Sequence, residues 1–301
     1  MSGEVAILDG GMGRELLRMG APFRQPEWSA LALIEAPEFV GRAHRAFVEA
    51  GAGIVTTNSY ALVPFHIGQD RFDAQAEELA DLAGRIARRE ADAAGREVRV
   101  AGSLPPVFGS YRPDLFDPKG AVELLRPLVR GLSPHVDFWL AETLGSAAEA
   151  AAVRQALGDD PRPLWVSYTL ADQPAAGRAT LRSGESVASA AAEARALGAQ
   201  TLLFNCSPPE VMDLAIGEAA DTLRAVLPLG VYANAFEPKP ERDAANAALS
   251  RLREDTDPDG YLRHARRWVA AGASVVGGCC GIGPEHIARL SQAFAQAQGQ
   301  A

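Results

Sequence analysis

Val5-Ala6-Ile7-Leu8-Asp9-Gly10-Gly11-Met12-Gly13 is an apolar run that ends on an acid and enters a glycine-rich turn. A doubly wound dinucleotide-binding sheet would carry GxGxxG at this turn. These residues do not. Seven similar runs follow, at residues 53–57, 98–103, 137–142, 164–168, 201–205, 230–234 and 274–277. Several are continuously apolar, as parallel strands buried on both faces require.

Amphipathic stretches separate the runs. Phe72, Leu79, Leu82 and Ile86 share one helical stripe, with Glu77, Asp81, Arg85 and Arg88 on other faces. Pro37 opens a helix through Phe39, Ala43 and Phe47. Ser183 is read as the N-cap of a helix reaching Leu197. Asp257 and Pro258 open another through Trp268, and Pro284 opens the last. Pro127 is expected to kink or shorten its helix. Eight strand–helix alternations in 301 residues predict an α/β fold, a single-domain (β/α)8 TIM barrel over residues 1–301. Three segments exceed ordinary loops, at 20–35, 105–118 and 237–257. The second and third begin on the face where a barrel holds its active site, and read as lids or as plain surface insertions.

Composition narrows the functional classes. A chain 48% hydrophobic and 22% charged is neither disordered nor fibrous. It contains no run of about 18 apolar residues, the least a membrane helix needs. The formal charge of -9 provides no basic footprint for nucleic acid. The first residues carry Glu4 and no basic segment before an apolar run, so a cytoplasmic protein is expected.

The only cysteines are Cys206, Cys279 and Cys280, an odd number that argues against a disulfide framework. Cys206 ends the sixth run; the adjacent pair ends the eighth. All three are expected on the C-terminal rim of a barrel. Neighbouring side chains of a regular strand point to opposite faces, so both cysteines of the pair reach one ion only if the backbone turns there. Gly277, Gly278 and Gly281 provide that freedom. Three thiolates around Zn2+ leave a fourth position open, the arrangement of a catalytic zinc site. Such a site suits a sulfur nucleophile better than water. The alternative is three buried structural cysteines.

Ile7-Leu8-Asp9-Gly10-Gly11-Met12-Gly13, Asn205-Cys206 and Gly277-Gly278-Cys279-Cys280-Gly281 resemble the homocysteine S-methyltransferase family. Trp28-Ser29-Ala30 and Ala141-Glu142-Thr143 are also similar to it. The resemblance implies a (β/α)8 barrel, zinc on Cys206, Cys279 and Cys280, and methyl transfer to the sulfur of homocysteine. It places Asp9 and Glu142 on the substrate ammonium.

The other expected substrate contacts follow from that acceptor. Gly10, Gly11, Thr56 and Thr57 are candidate donors to its carboxylate. Asn234 ends the seventh run, between the cysteine-bearing strands, where its amide oxygen could approach zinc before substrate arrives. The alternative is a rim hydrogen bond. A cationic methyl donor would be held by aromatic faces, with Trp28 and Tyr60 as first candidates and Phe108 and Tyr111 beside them. The five histidines are scattered, and His286 reads as a surface or capping residue. No general base is required where a metal supplies the thiolate.

S-methylmethionine is the first donor expected and S-adenosylmethionine the second. Betaine is third, because betaine-using relatives carry tyrosine where this chain has Thr143. The remaining readings are a corrinoid-dependent module of a split methionine synthase, a selenol methyltransferase, a barrel lyase that binds phosphate at Gly277-Gly278, and a non-catalytic zinc barrel. With no donor-binding domain evident, a stand-alone barrel is expected, as a monomer or small homo-oligomer.

Overall fold

The computed structural model describes residues 5–237 and 251–298. Each apolar run forms a strand: β1 (Ala6–Ile7), β2 (Ile54–Thr56), β3 (Arg99–Leu104), β4 (Phe138–Leu144), β5 (Leu164–Tyr168), β6 (Thr201–Asn205), β7 (Leu229–Tyr232) and β8 (Ala273–Val276). All pairings are parallel, in the order β1-β8-β7-β6-β5-β4-β3-β2. A parallel bridge from Leu8 to Ile54 closes the ring between β1 and β2. The expected (β/α)8 barrel is therefore the observed fold.

Two apolar layers hold it. Leu8, Ile54, Phe138, Leu140, Trp165, Leu203 and Val275 fill the barrel interior. The Arg99 guanidinium, at the first residue of β3, lies 4.4 Å from the centroid of the Phe138 ring. The second layer joins the outer strand faces to the helices, through residues such as Phe47, Leu79, Leu125 and Trp268.

Several helix boundaries follow the chemistry of their caps. Pro37 begins the helix Pro37–Glu49, and Asp257 caps Pro258–Ala270 by accepting from the Gly260 N–H at 2.6 Å. The helix after β5 begins later than expected. Its N-cap is Ser186, whose hydroxyl accepts from the Ser189 N–H at 3.1 Å. Ser183 is excluded because bridges Leu170–Leu181 and Thr180–Ser186 hold its surroundings as a hairpin. Nor does Pro127 shorten its helix, which runs unbroken over Pro118–Leu132. The proline removes one donor, on a side where Glu123 and Arg126 are exposed, while Leu125, Leu128 and Leu132 bury the opposite face.

Among the described residues, no helix is long and apolar enough to cross a membrane. The insertion expected at 237–257 falls largely on residues 238–250, outside the described residues. Beside them, Phe236 bridges Leu252.

Leu203 is completely buried inside the barrel. Leu203→Ala is expected to destabilise the protein by about 2–5 kcal/mol through lost burial and the cavity left behind. Equilibrium denaturation against the parent chain measures it.

Candidate active site

Two strand ends deliver the three cysteines to one place. Cys206 follows β6 directly, at a left-handed φ of 51°. β8 ends at Val276, and the chain then turns, with the Ile282 N–H donating to Cys279 O at 3.1 Å. This turn resolves the problem posed by adjacent cysteines, because neither sits in regular strand. The three sulfur atoms lie within 4.8 Å of one another. Cys206 and Cys279 are joined as a disulfide, with Cα atoms 5.7 Å apart, and Cys280 lies outside that bond. The expectation that no cysteine forms a disulfide thus fails for Cys206 and Cys279. Convergence explains the difference, since thiols aimed at one point serve either a shared ion or a disulfide.

The donor set fits a soft metal once the pair is in its dithiol state. It consists of three thiols with no carboxylate or imidazole among them. Zinc–sulfur bonds of about 2.3 Å in tetrahedral geometry would place the sulfurs about 3.8 Å apart, compatible with this cluster.

The acids occupy the same cavity as the cysteines. Asp9, Glu142, Cys206, Cys279 and Cys280 all line it. Asp9 lies just past β1 and is buried; it accepts from the Thr56 N–H at 2.8 Å and the Thr56 hydroxyl at 3.0 Å. Burial pushes its carboxyl up to about 8, against the Thr56 hydrogen bonds and aided by the nearby Glu142. Glu142 is raised for the same first reason, while hydrogen bonds from Ser103 and Tyr232 oppose the shift. Ser103 Oγ donates to one of its oxygens, and Tyr232 OH to the other at 3.1 Å.

Other expected contacts are used differently. The Thr57 hydroxyl pairs with Ser59 Oγ at 2.9 Å and accepts from the Ser103 N–H at 3.0 Å. The Gly11 N–H donates to Ile282 O at 2.9 Å. The donors anticipated for a substrate carboxylate at Gly11, Thr56 and Thr57 are thus committed within the protein. Both glycines also permit close approach. A Cβ on Gly10 would meet Ile282 O at 2.4 Å, and one on Gly11 would meet Cys279 O at 2.5 Å. Asn234 lines the cavity with its Oδ1 accepting from the Phe236 N–H at 3.1 Å, a rim hydrogen bond.

Of the aromatics, Trp28, Tyr60 and Tyr111 line the cavity. Phe108 does not; it packs partly buried on the helix Pro118–Leu132, against Gly120. His286 is buried rather than superficial. It accepts from the Gly283 N–H at 3.2 Å and hydrogen-bonds Thr256 O at 3.0 Å, as a capping residue.

Residues not anticipated from the sequence complete the site. Ser103 and Tyr232 hold Glu142, while Arg14, Asp172, Arg182 and Phe236 line the cavity. Asn205 has a further task. Its Oδ1 accepts from the Thr143 N–H at 3.0 Å and from Ser167 Oγ at 2.7 Å, and its Nδ2 donates to Thr143 Oγ1 at 2.8 Å. Thr143 has φ 60° and lies where β4 shifts register against β5. A non-glycine residue in this region is strained and persists only when its surroundings hold it. One amide therefore clamps the residue after Glu142 and precedes Cys206, joining the acid side of the site to the thiol side.

A closed parallel barrel with three convergent thiols and two buried acids on its C-terminal rim defines a barrel enzyme built for thiol chemistry. Comparison with known proteins makes this specific. Residues 6–294 match the family model described as homocysteine S-methyltransferase. The chain is 30% identical to homocysteine S-methyltransferase of Escherichia coli (strain K12), over 95% of this chain and 94% of that protein. It is 26% identical to a selenocysteine methyltransferase of Astragalus bisulcatus, over 99% and 94%. The metallated form of the Escherichia coli homocysteine methyltransferase MmuM superposes with a TM-score of 0.78 at 28% identity, covering 97% of each chain. Its oxidized form gives 0.79 at 26% identity with the same coverage. The chain belongs to the homocysteine S-methyltransferase family and is a methyltransferase.

Asn205→Ala removes three side-chain hydrogen bonds and leaves the Thr143 amide without its partner. It is expected to cost on the order of 1–3 kcal/mol in stability and to alter the reactivity of Cys206 toward an aromatic disulfide reagent. Calorimetry and thiol titration of the reduced protein measure the two effects.

Proposed function

We propose that this single-domain barrel transfers a methyl group from a sulfonium donor to the thiol of homocysteine, giving methionine. The carrying observation is the convergence of Cys206, Cys279 and Cys280 within 4.8 Å in a cavity that Asp9 and Glu142 also line. The three cysteines, as thiolates, would hold Zn2+. Bound zinc lowers the pKa of a substrate thiol and keeps it as a nucleophile at neutral pH.

The chain's own residues bind and orient. Asp9 and Glu142 receive the homocysteine ammonium. Both are held toward the neutral form by burial when alone, and the arriving cation favours their ionised forms. Thr56, Ser103 and Tyr232 aim the two carboxyls, so little reorganisation accompanies binding. The substrate sulfur attacks the donor methyl carbon. A sulfur–carbon bond forms as the donor's sulfur–methyl bond breaks, and its electron pair leaves with the neutralised donor. Trp28 and Tyr60 present aromatic faces in the cavity, suited to a cationic donor.

S-methylmethionine is the donor proposed first, then S-adenosylmethionine. Methyl transfer from each radiolabelled donor tests the order, and activity with a methyl-corrinoid alone would overturn it. A selenol is a second acceptor to test, favoured by the similarity to a selenocysteine methyltransferase. Competition between homocysteine and selenocysteine decides which is preferred.

Cys279→Ser is expected to lose bound zinc and to lower methyl transfer by on the order of 100-fold or more, with the fold retained. Metal analysis beside a methyl-transfer assay reads both. Undiminished activity would remove the thiol site from the reaction.

Methionine isolates the ammonium contact, since it has no thiol proton to lose. Asp9 is mostly protonated at pH 7 when its carboxyl sits at about 8. Ionising it against the ammonium should therefore release close to one proton from Asp9 per methionine bound, in addition to any that Glu142 gives up. Titration calorimetry in buffers of different ionisation enthalpy counts the protons. Asp9→Asn should abolish most of this release; an unchanged count would separate Asp9 from the ammonium.

A further inference from the structure

Beyond the cysteines, the cavity wall carries an ion pair that the reaction described above does not use. Arg182 Nη2 meets Asp172 Oδ1 at 2.5 Å, and the side chains are only 12% and 10% exposed. Both residues line the cavity that holds Asp9 and the three cysteines. The Arg182 guanidinium lies over Tyr111, 4.1 Å from the ring centroid. The far end of that ring is its hydroxyl, which donates to Cys206 O at 2.5 Å. One phenol ring thus spans from the charged pair to a thiol-bearing residue.

The pair is positioned by backbone. Leu170 and Leu181 bridge antiparallel, and the Ala171 N–H donates to Thr180 O at 2.9 Å. Asp172 and Arg182 lie on the two arms of this hairpin, just past β5 on the C-terminal rim. Withdrawing two charges from water is costly, and a hairpin can be fastened by apolar residues without that cost. A ligand carrying both charges gives the pair a use. A carboxylate beside the guanidinium and an ammonium beside the carboxylate would leave no charge uncompensated.

We propose that Arg182 and Asp172 form the subsite that holds the head group of the methyl donor. Arg182 takes its carboxylate and Asp172 its ammonium. The inference rests on the sulfonium methyl-transfer reading and names the donor's recognition. The short carbon chain between sulfonium and head group runs along Tyr111, placing the sulfonium methyl toward the thiols. Asp9 and Glu142, which serve the acceptor, lie on other strands. Betaine has no N–H to offer Asp172. S-methylmethionine and S-adenosylmethionine share the required head group.

The test uses the zinc-loaded, reduced protein. On the parent chain, kcat/KM is compared for S-methylmethionine, S-adenosylmethionine, 4-(dimethylsulfonio)butanoate and (3-aminopropyl)dimethylsulfonium. The last two lack the ammonium and the carboxylate, respectively. Each is expected to fall at least tenfold below S-methylmethionine. Arg182→Met should raise the KM for S-methylmethionine at least tenfold while the KM for homocysteine and the zinc content stay within twofold. Asp172→Asn should shrink the preference for S-methylmethionine over the des-amino donor at least tenfold.

Equal use of the truncated donors by the parent chain overturns the subsite even where a variant fails to fold. Folded variants with unchanged donor KM and preference also overturn it. So does loss of zinc or homocysteine binding in a folded variant, which would mark the pair as structural. Failure of the underlying reading is distinct: the parent chain would then transfer methyl from no sulfonium at all.

Discussion

The seam between the first and last strands is the constraint on which the site depends. The turn after β1 presses on the turn after β8 closely enough that neither Gly10 nor Gly11 has room for a Cβ. The Gly11 N–H donates to Ile282 O and the Gly278 N–H to Asp9 O, both at 2.9 Å. These hydrogen bonds continue the barrel's closure beyond its regular strands. They also carry Asp9 to the edge of the turn that bears Cys279 and Cys280. A larger residue at Gly11 would move the backbone of Cys279, so ring closure and thiol placement are one packing problem. At Gly10 and Gly11 the lack of a side chain is what this seam requires.

Two buried acids and a largely shielded ion pair make this rim electrostatically costly. Asp9 and Glu142 are both desolvated, and each raises the proton affinity of its surroundings. The sign follows from linkage. The folded carboxyl of Asp9 stands above its unfolded value, so its contribution to stability is fullest below the unfolded pKa of about 3.8 and is lost as pH rises through about 8. A cationic ligand reverses that loss by stabilising the ionised form. The site is thus least comfortable empty at neutral pH. It gains most from a ligand that brings an ammonium, and hydrogen bonds already aimed from Thr56, Ser103 and Tyr232 keep the acids in place meanwhile. Strain at Thr143 and Cys206, both at positive φ, lies on the same rim and is held by the Asn205 amide and its neighbours.

What could be read from sequence divides along physical lines. The strands were legible because parallel strands buried on both faces need uninterrupted apolar runs, and no helix imitates eight of them at this spacing. Asp9, Glu142 and the cysteines were legible because each directly follows or ends such a run, where barrel topology leaves little choice of face. Ser103 and Tyr232 carried a weaker signal. They lie within strands β3 and β7 and face inward toward Glu142, so their role depends on strand register, which composition does not encode. Asn205 was visible beside Cys206, but its clamp depends on the register shift in β4, sixty-two residues away.

The hairpin after β5 was hardest to foresee, and its case explains the others. Gln173-Pro174 and Ser183-Gly184 are ordinary turn chemistry, and Ser183 looked like a cap because a helix does begin nearby. Only the antiparallel bridges at Leu170–Leu181 and Thr180–Ser186 delay the helix to Ser186. The hairpin brings Asp172 and Arg182 together, with the guanidinium over Tyr111. Local sequence specifies the pieces of such a segment, while the fold decides which pieces meet. The proposed acceptor contacts sit on strand ends, where pattern reveals them. The charged pair facing the same cavity sits on an inserted hairpin, outside the strands that close the ring.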